Sequence, residues 1–345
     1  MKVYEIILKP LSGFGTPLKG DTLFGHFCWQ IAYDGSLCNI PMKEAIKMYP
    51  ERPFSVFSSA YPRLKTTSAW FYALRTPALP LEMLFTMPDE KVEMLKKRKD
   101  YKAKRWMLVE KGKRINSFRD AQFVNDHELF ERFIANASMK TRKALRQSGA
   151  SRFAFNFTQS HNTINRITGT TGEGGFAPFA VGQVVFAPES ELVVFAGIDE
   201  EMISTKQLSL AFERIGATGF GKDASTGLGR FKIGTVEEID LESMGNATPN
   251  ACYTLAPCVP QKNCFNEVFF LPFTRFGRHG DVFAKSENPF KAPMLMADEA
   301  AVFKPKKSDV FKKPYIGMPV SGISKTEPGT IAQGYSLYVP VKMEA

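Results

Sequence analysis

The chain has little of what most enzymes and secreted proteins are built around. Its 345 residues hold four histidines and five cysteines, and none of the cysteines forms a C-x-x-C pair. Cys28, Cys38, Cys252, Cys258 and Cys264 are odd in number, and no signal peptide is read at the N-terminus. Free thiols in a reducing cytoplasm are therefore the simplest expectation. The last three cysteines repeat every six residues, but no convincing fourth ligand lies near them, so no metal is expected. No apolar run is long enough to cross a bilayer, and no membrane partner is expected. H-x-x-x-H pairs, paired carboxylates and Asp-rich boxes are also missing, and no Ser or Cys has an obvious base partner. Neither catalysis nor a cofactor follows from such a set.

What is present in excess is phenylalanine, with thirty Phe against ten Tyr and three Trp. Together with 44% hydrophobic residues this predicts β-rich cores, and the length allows one large domain or two ordinary ones. Net charge is +10, which suits a polyanionic partner or a surface kept soluble by charge. Much of the excess is local: Lys91 to Arg114 carries eleven Lys/Arg against Glu93, Asp100 and Glu110. That run is readable as a solvated face, as an RNA-capturing surface or as a docking surface for a protein.

Periodicity orders the chain as follows. Lys2 to Leu8 reads as a strand and is followed by a Gly/Pro loop, after which Asp21 stands as N-cap to a helix over TLFGHFCWQIAYD, to Asp34. Prolines break residues 45–85 into short strands, and residues 89–149 read as a mainly helical, basic insertion. Residues 153–187 make a long hairpin around TGEGG, ELVVFAGI a strand, TKQLSLAFERIGA a helix and GLGRFKIGTVEEI a strand. This is a β-α-β-β-α-β order with insertions, the pattern of a ferredoxin-like unit. Several more strand candidates follow GNATPN, which predicts a domain over residues 1–245 and a smaller β-rich one over 250–345.

The stretch from Gly216 to Phe231, GATGFGKDASTGLGRF, joins five glycines to Lys222, Ser225, Thr226 and Arg230. Dense glycine lets backbone amides gather in a concavity that suits phosphate. Gly216, Gly221 and Lys222 match the spacing of a nucleotide-triphosphate loop, but Asp223 replaces the Mg²⁺-binding hydroxyl and a strand follows where a helix is needed. A helix-to-strand crossing that cradles an RNA backbone fits better.

Four segments together resemble the RAMP superfamily of CRISPR RNA-binding proteins, and within it the type III-A (Csm complex) family that holds the 5′ end of the guide RNA. They are PLSGFGTPLKGDTLFGHFCW at 10–29, HNTINRITGTTGEGGFAP at 161–178, the glycine stretch at 216–231, and NPFKAPMLMADEAAVFK at 288–304. The resemblance implies an α+β fold of two ferredoxin-like (RRM-like) domains, with Gly-rich loops on the RNA-binding side. It implies no catalytic centre, and a place at the foot of an RNA-guided effector. The implied partners are the repeat-derived 5′ handle of the crRNA, the large polymerase/cyclase subunit and the adjacent backbone RAMP subunit.

Candidate RNA contacts follow from the same residues. Ser12, Thr16 and Lys19 in the first loop face Lys222, Ser225, Thr226 and Arg230 across a proposed groove, and Asp21 fits an N-cap better than an RNA contact. Phe14, between two glycines, is either a core plug or a base-stacking platform. His161, Asn162, Asn165 and Arg166 line one side of the hairpin arm, which the resemblance makes a thumb lying on the guide and alternation alone makes an ordinary solvent-facing hairpin. Arg275 and Arg278, beside His279, suit RNA or a protein partner equally. Some RAMP relatives cut RNA, so His26 and His161 are the bases a repeat-processing nuclease would use.

Overall fold

A computed structural model describes residues 1–344. Its strands are β1 (Lys2–Pro10), β2 (Ser55–Phe57), β3 (Tyr61–Lys65), β4 (Trp70–Arg75), β5 (Trp106–Glu110), β6 (Gln122–Val124), β7 (Ala154–His161), β8 (Phe179–Phe186), β9 (Glu191–Ile198), β10 (Phe231–Glu238), β11 (Ala251–Thr254), β12 (Phe265–Phe269), β13 (Pro272–Arg275), β14 (Met294–Ala297), β15 (Val302–Pro305), β16 (Tyr315–Gly317) and β17 (Tyr335–Val341). The helices are α1 (Gly20–Tyr33), α2 (Met42–Met48), α3 (Leu81–Leu84), α4 (Lys91–Ala103), α5 (Asp126–Asn136), α6 (Met139–Gln147) and α7 (Thr205–Thr218).

The main sheet runs β10-β1-β9-β3-β4-β5-β6, with β2 also on β9, and every pair is antiparallel. β1 and β9 are buried along almost their whole length because Val3 to Leu8 and Leu192 to Ile198 pack under α1 and α7. α7 begins on a capping box in which Ser204 accepts from the Gln207 amide and Gln207 accepts from the Ser204 amide. Its Leu208, Phe212 and Ile215 face the sheet at helical spacing.

β2 and β3 are one strand interrupted at Ser58–Ala60. There the Ser59 amide turns to Leu255 O and the Ala60 amide to Leu18 O, each at 2.8 Å. The interruption therefore anchors both the first loop and the C-terminal segment.

Two expectations are corrected here. The insertion at 89–149 carries α4, α5 and α6, but it also supplies β5 and β6, which extend the main sheet. Met107, Leu108 and Val109 are buried there, so the second half of the basic run lies within the sheet, and its Lys111 reaches the buried carboxylate of Glu5 and, at 3.0 Å, Glu237. The second correction concerns residues 251–344, which hold strands and short 3-10 turns and no α-helix. Their five-stranded sheet, β12-β15-β11-β17-β16, has no helical layer of its own. It shares one core with the main sheet, because Tyr253, Leu255, Leu337 and Val339 pack in the same cluster as β1 and β9. The molecule is thus a mixed α/β protein built mostly of antiparallel sheets.

Candidate nucleic-acid interface

Three of the four segments that carry the resemblance, and the base of the hairpin that bears the fourth, come together at one end of the main sheet. The first loop, residues 11–19, is zipped to the glycine loop, residues 219–230, by backbone and hydroxyl contacts. Leu11 N donates to Arg230 O at 2.8 Å, Gly229 N to Gly13 O at 2.7 Å, Lys222 N to Thr16 Oγ1 at 2.9 Å and Arg230 N to Ser12 Oγ at 2.9 Å. Phe14 then pairs with Val184 of β8 through two hydrogen bonds of 2.8 and 2.9 Å, which ties in the hairpin. Lys19 closes the fourth side, with its ammonium on Asp298 and, at 2.6 Å, on Glu299.

This zipper changes the roles read from sequence. The two loops touch directly and do not form opposite walls of a groove. Ser12 and Thr16 spend their oxygens on amides of the glycine loop. Phe14 is only 3% exposed and packs edge-on to Phe186 at 5.7 Å, so it is a core plug and not a stacking platform. Lys19 and Arg275 are both held in internal ion pairs, Arg275 as a fork on Asp21 at 2.5 and 2.8 Å. Asp21 correspondingly is not the cap of α1. Lys19 occupies the N-cap position without a side-chain cap, and Asp21 is a buried carboxylate that needs its arginine.

Most amides of the glycine loop are likewise spoken for, including Gly221 N, which donates to His26 Nε2 at 3.0 Å. Among the described residues the amides of Asp223, Ala224 and Ser225 find no hydrogen-bond acceptor, and the exposed side chains of Lys222, Ser225, Thr226 and Arg230 surround them. Lys222 has only a loose 3.7 Å contact with Asp223. The part of the loop whose amides and cations are uncommitted is therefore its tip, entered through Asp223 in the left-handed region at φ 60°. The glycines behind it serve close packing: a Cβ on Gly229 would lie 2.1 Å from Phe220 O.

Joined to the first loop at Phe14 is the β7/β8 ribbon, which otherwise pairs only with itself along its length. One of its faces presents Phe155, Phe157, His161 and Phe179, with His161 stacked on Phe179 at 5.2 Å and 12°. Asn162 and Arg166 near the far end are exposed and unpaired, whereas Asn165 is committed to a turn, accepting from Ile167 N at 2.9 Å. The sequence reading missed Phe155 and Phe157, although their alternation in FAFNF is the signal of one ribbon face. Arg278 lies apart from the glycine loop in sequence and in contacts, bonded to Ala284 O at 3.2 Å and over the Phe290 ring at 5.5 Å. His279 is buried against Ser324 at 2.7 Å, and burial with the Lys291 charge holds its imidazole below the usual value.

His26 sits behind the loop against Phe220, and burial lowers its pKa to about 4. It is neutral at pH 7 and its Nε2 lone pair is occupied by Gly221. Among the described residues no cluster of three or more His, Cys, Asp or Glu could hold a metal, and no helix is long and apolar enough to cross a membrane.

No family model and no curated protein matches the chain. Solved structures do. It superposes on a chain of a Csm1–Csm4 cassette complexed with AMPPNP at TM-score 0.55 and 14% identity, covering all of both chains. It superposes equally on a cassette complexed with cA4, at TM-score 0.55 and 12% identity over 99% of each chain. A Csm3–Csm4 subcomplex of a type III-A CRISPR–Cas interference complex matches at TM-score 0.53 and 13% identity, over 99% of each chain. At such identities the likeness is one of fold alone. The shared fold is that of a chain in Csm complexes, one of which is described as part of a type III-A CRISPR–Cas interference complex.

Proposed function

We propose that this chain is a non-catalytic, RNA-binding subunit of a type III-A effector complex that clasps the 5′ handle of the crRNA. In this reading its first unit is a ferredoxin-like RAMP domain over residues 1–245, in the order β10-β1-β9-β2, and residues 250–345 form a second, β-rich domain. It bridges the large polymerase/cyclase subunit to the backbone RAMP filament. The carrying observation is the convergence of the first loop, glycine loop, hairpin and 288–304 segment on one edge, which leaves Lys222, Ser225 and Arg230 free beside an aromatic ribbon.

The chemistry of that edge suits single-stranded RNA. Cations and free amides take phosphates, and flat side chains take unstacked bases, each worth roughly 1–3 kcal/mol. Phe155, Phe157 and Phe179 are 38%, 47% and 52% exposed, a costly arrangement for a two-stranded ribbon that joins no larger sheet. Asn162 and Arg166 extend the same path toward the hairpin tip. Partners like those named with the similar structures, Csm1 and Csm3, fit a subunit that sits between a large subunit and a filament.

A nuclease reading has less to stand on. His26 has its acceptor nitrogen engaged by Gly221, and His161 is stacked on Phe179 with no second proton donor bonded to it. The deciding experiment is guide retention in the assembled complex. Lys222→Ala with Arg230→Ala should release crRNA at moderate salt, and unchanged retention would overturn the clasp. Specific cleavage of repeat RNA by the purified chain, abolished in His161→Ala, would replace it with the nuclease.

A further inference from the structure

Among the described residues helix α4 has no buried residue along it. Its inner side is held by Tyr101, which stacks flat on Phe85 at 4.2 Å and 1° and donates from Oη to Thr86 O at 3.3 Å. Phe85 in turn packs edge-on to Phe123 of β6, at the far edge of the main sheet. The anchoring fixes which side faces outward. At 100° per residue, Lys96, Arg98, Lys99 and Lys102 share an outer arc of roughly 160° with Val92 and Leu95, opposite Met94 and Tyr101. Among the described residues none of these four cations meets a carboxylate; the Glu93 carboxylate is taken by Lys97 at 2.9 Å.

We infer that this face of α4 is a second RNA-backbone contact, separate from the glycine loop. The inference rests on the reading of the chain as an RNA-binding subunit. Four unneutralised cations over roughly 9 Å of helix axis, on long flexible side chains, concentrate enough charge to meet successive phosphates of one strand. A protein partner is disfavoured by composition, because interface cores are poor in Lys and rich in aromatics, and this outer face has no aromatic. The β6 edge and the β10 edge, where the glycine loop lies, are separated by six strand spacings, or roughly 29 Å. One phosphate group cannot serve both, so the strand at α4 is either a distant part of the guide or the strand paired to it.

The test compares three full-length proteins for binding a 20-nucleotide uridine RNA across a salt series: wild type, the α4 variant Lys96→Ala/Arg98→Ala/Lys99→Ala/Lys102→Ala, and Lys222→Ala/Arg230→Ala. Alanine keeps the helix, which circular dichroism verifies. The α4 variant should lower the slope of log K against log salt by about 3, at about 0.7 for each phosphate that is no longer neutralised. In the assembled complex, 4-thiouridine placed either in the guide or in the strand paired to it should crosslink to the 91–103 peptide from one of the two, which identifies the source. An α4 variant with wild-type slope and affinity, beside a weakened glycine-loop variant, overturns this inference and leaves the clasp standing. Two unaffected variants overturn both, and a crosslink from α4 to protein alone replaces RNA with a protein partner.

Discussion

The amide of Gly221 donates to Nε2 of His26 at 3.0 Å, so the glycine loop is fastened from behind by an imidazole that must stay neutral. Burial lowers the pKa of that ring to about 4, while in the unfolded chain it titrates near its ordinary 6.5. The unfolded state therefore binds the extra proton between these values. The stabilisation is complete above about pH 6.5 and is lost as pH falls toward 4, by on the order of 2 kcal/mol for a partly buried ring. Urea unfolding at pH 7.5 and 4.5 should show this difference in the wild type and a smaller one in His26→Gln. Equal pH dependence in the two proteins would assign it to other groups.

Gly229→Ala should be among the most damaging single-methyl changes in the chain. The residue has φ 72°, and its Cβ would meet Phe220 O at 2.1 Å, in the backbone turn that also donates Gly229 N to Gly13 O. A loss of about 2–4 kcal/mol is expected from strain plus the disrupted zipper. Gly227→Ala, with φ 100° but open space around it, should cost less, and thermal melts of the pair measure the gap.

The fork between Arg275 and Asp21 should behave as a fastening between α1 and the β13-β14 strand pair. The Asp21 side chain is 3% exposed, so Arg275→Met strands a buried carboxylate and should destabilise by about 3–5 kcal/mol. The double change Asp21→Asn/Arg275→Met should recover part of that loss. A double-mutant cycle reads the coupling directly, and additivity would show that the two groups act separately.

Thiol reactivity should sort the five cysteines. Cys38, Cys252 and Cys258 are buried, and burial pushes the Cys258 thiol up to about 12 and raises those of Cys28 and Cys252 as well. Native alkylation at pH 8 followed by peptide mass mapping should label Cys264 first, and all five only after denaturation. Rapid labelling of Cys252 in the native protein would contradict the packing of β11.

The sequence made the skeleton of the first unit readable because its signals are local. Ser204 with Gln207 marks the start of α7, the spacing of Leu208, Phe212 and Ile215 marks its face, and ELVVFAGI can only be a buried strand. β5 was hidden because WMLVE follows a lysine-rich helix and earns its place only by pairing with β4 across the intervening segment. The site was half readable for a similar reason. Lys222 and Arg230 stand where glycine density points, but the capture of Lys19 by Glu299 and of Asp21 by Arg275 joins residues more than 250 positions apart, which no local pattern announces. The missing helices after residue 250 reflect the shared core: β11 and β17 bury their apolar residues against the first unit and need no helical cover.

β9 pairs with β1 on one side and with β2 and β3 on the other, so the strands β10, β1, β9, β2 and β3 join without any residue between 66 and 190. The entropic penalty for lengthening a connection grows only as the logarithm of its length. That segment, which carries both α4 and the β7/β8 ribbon, is thus where related chains can diverge in length and charge while the scaffold stays constant. Lineages facing different nucleic acids or neighbours can change what they touch there without relearning how to fold.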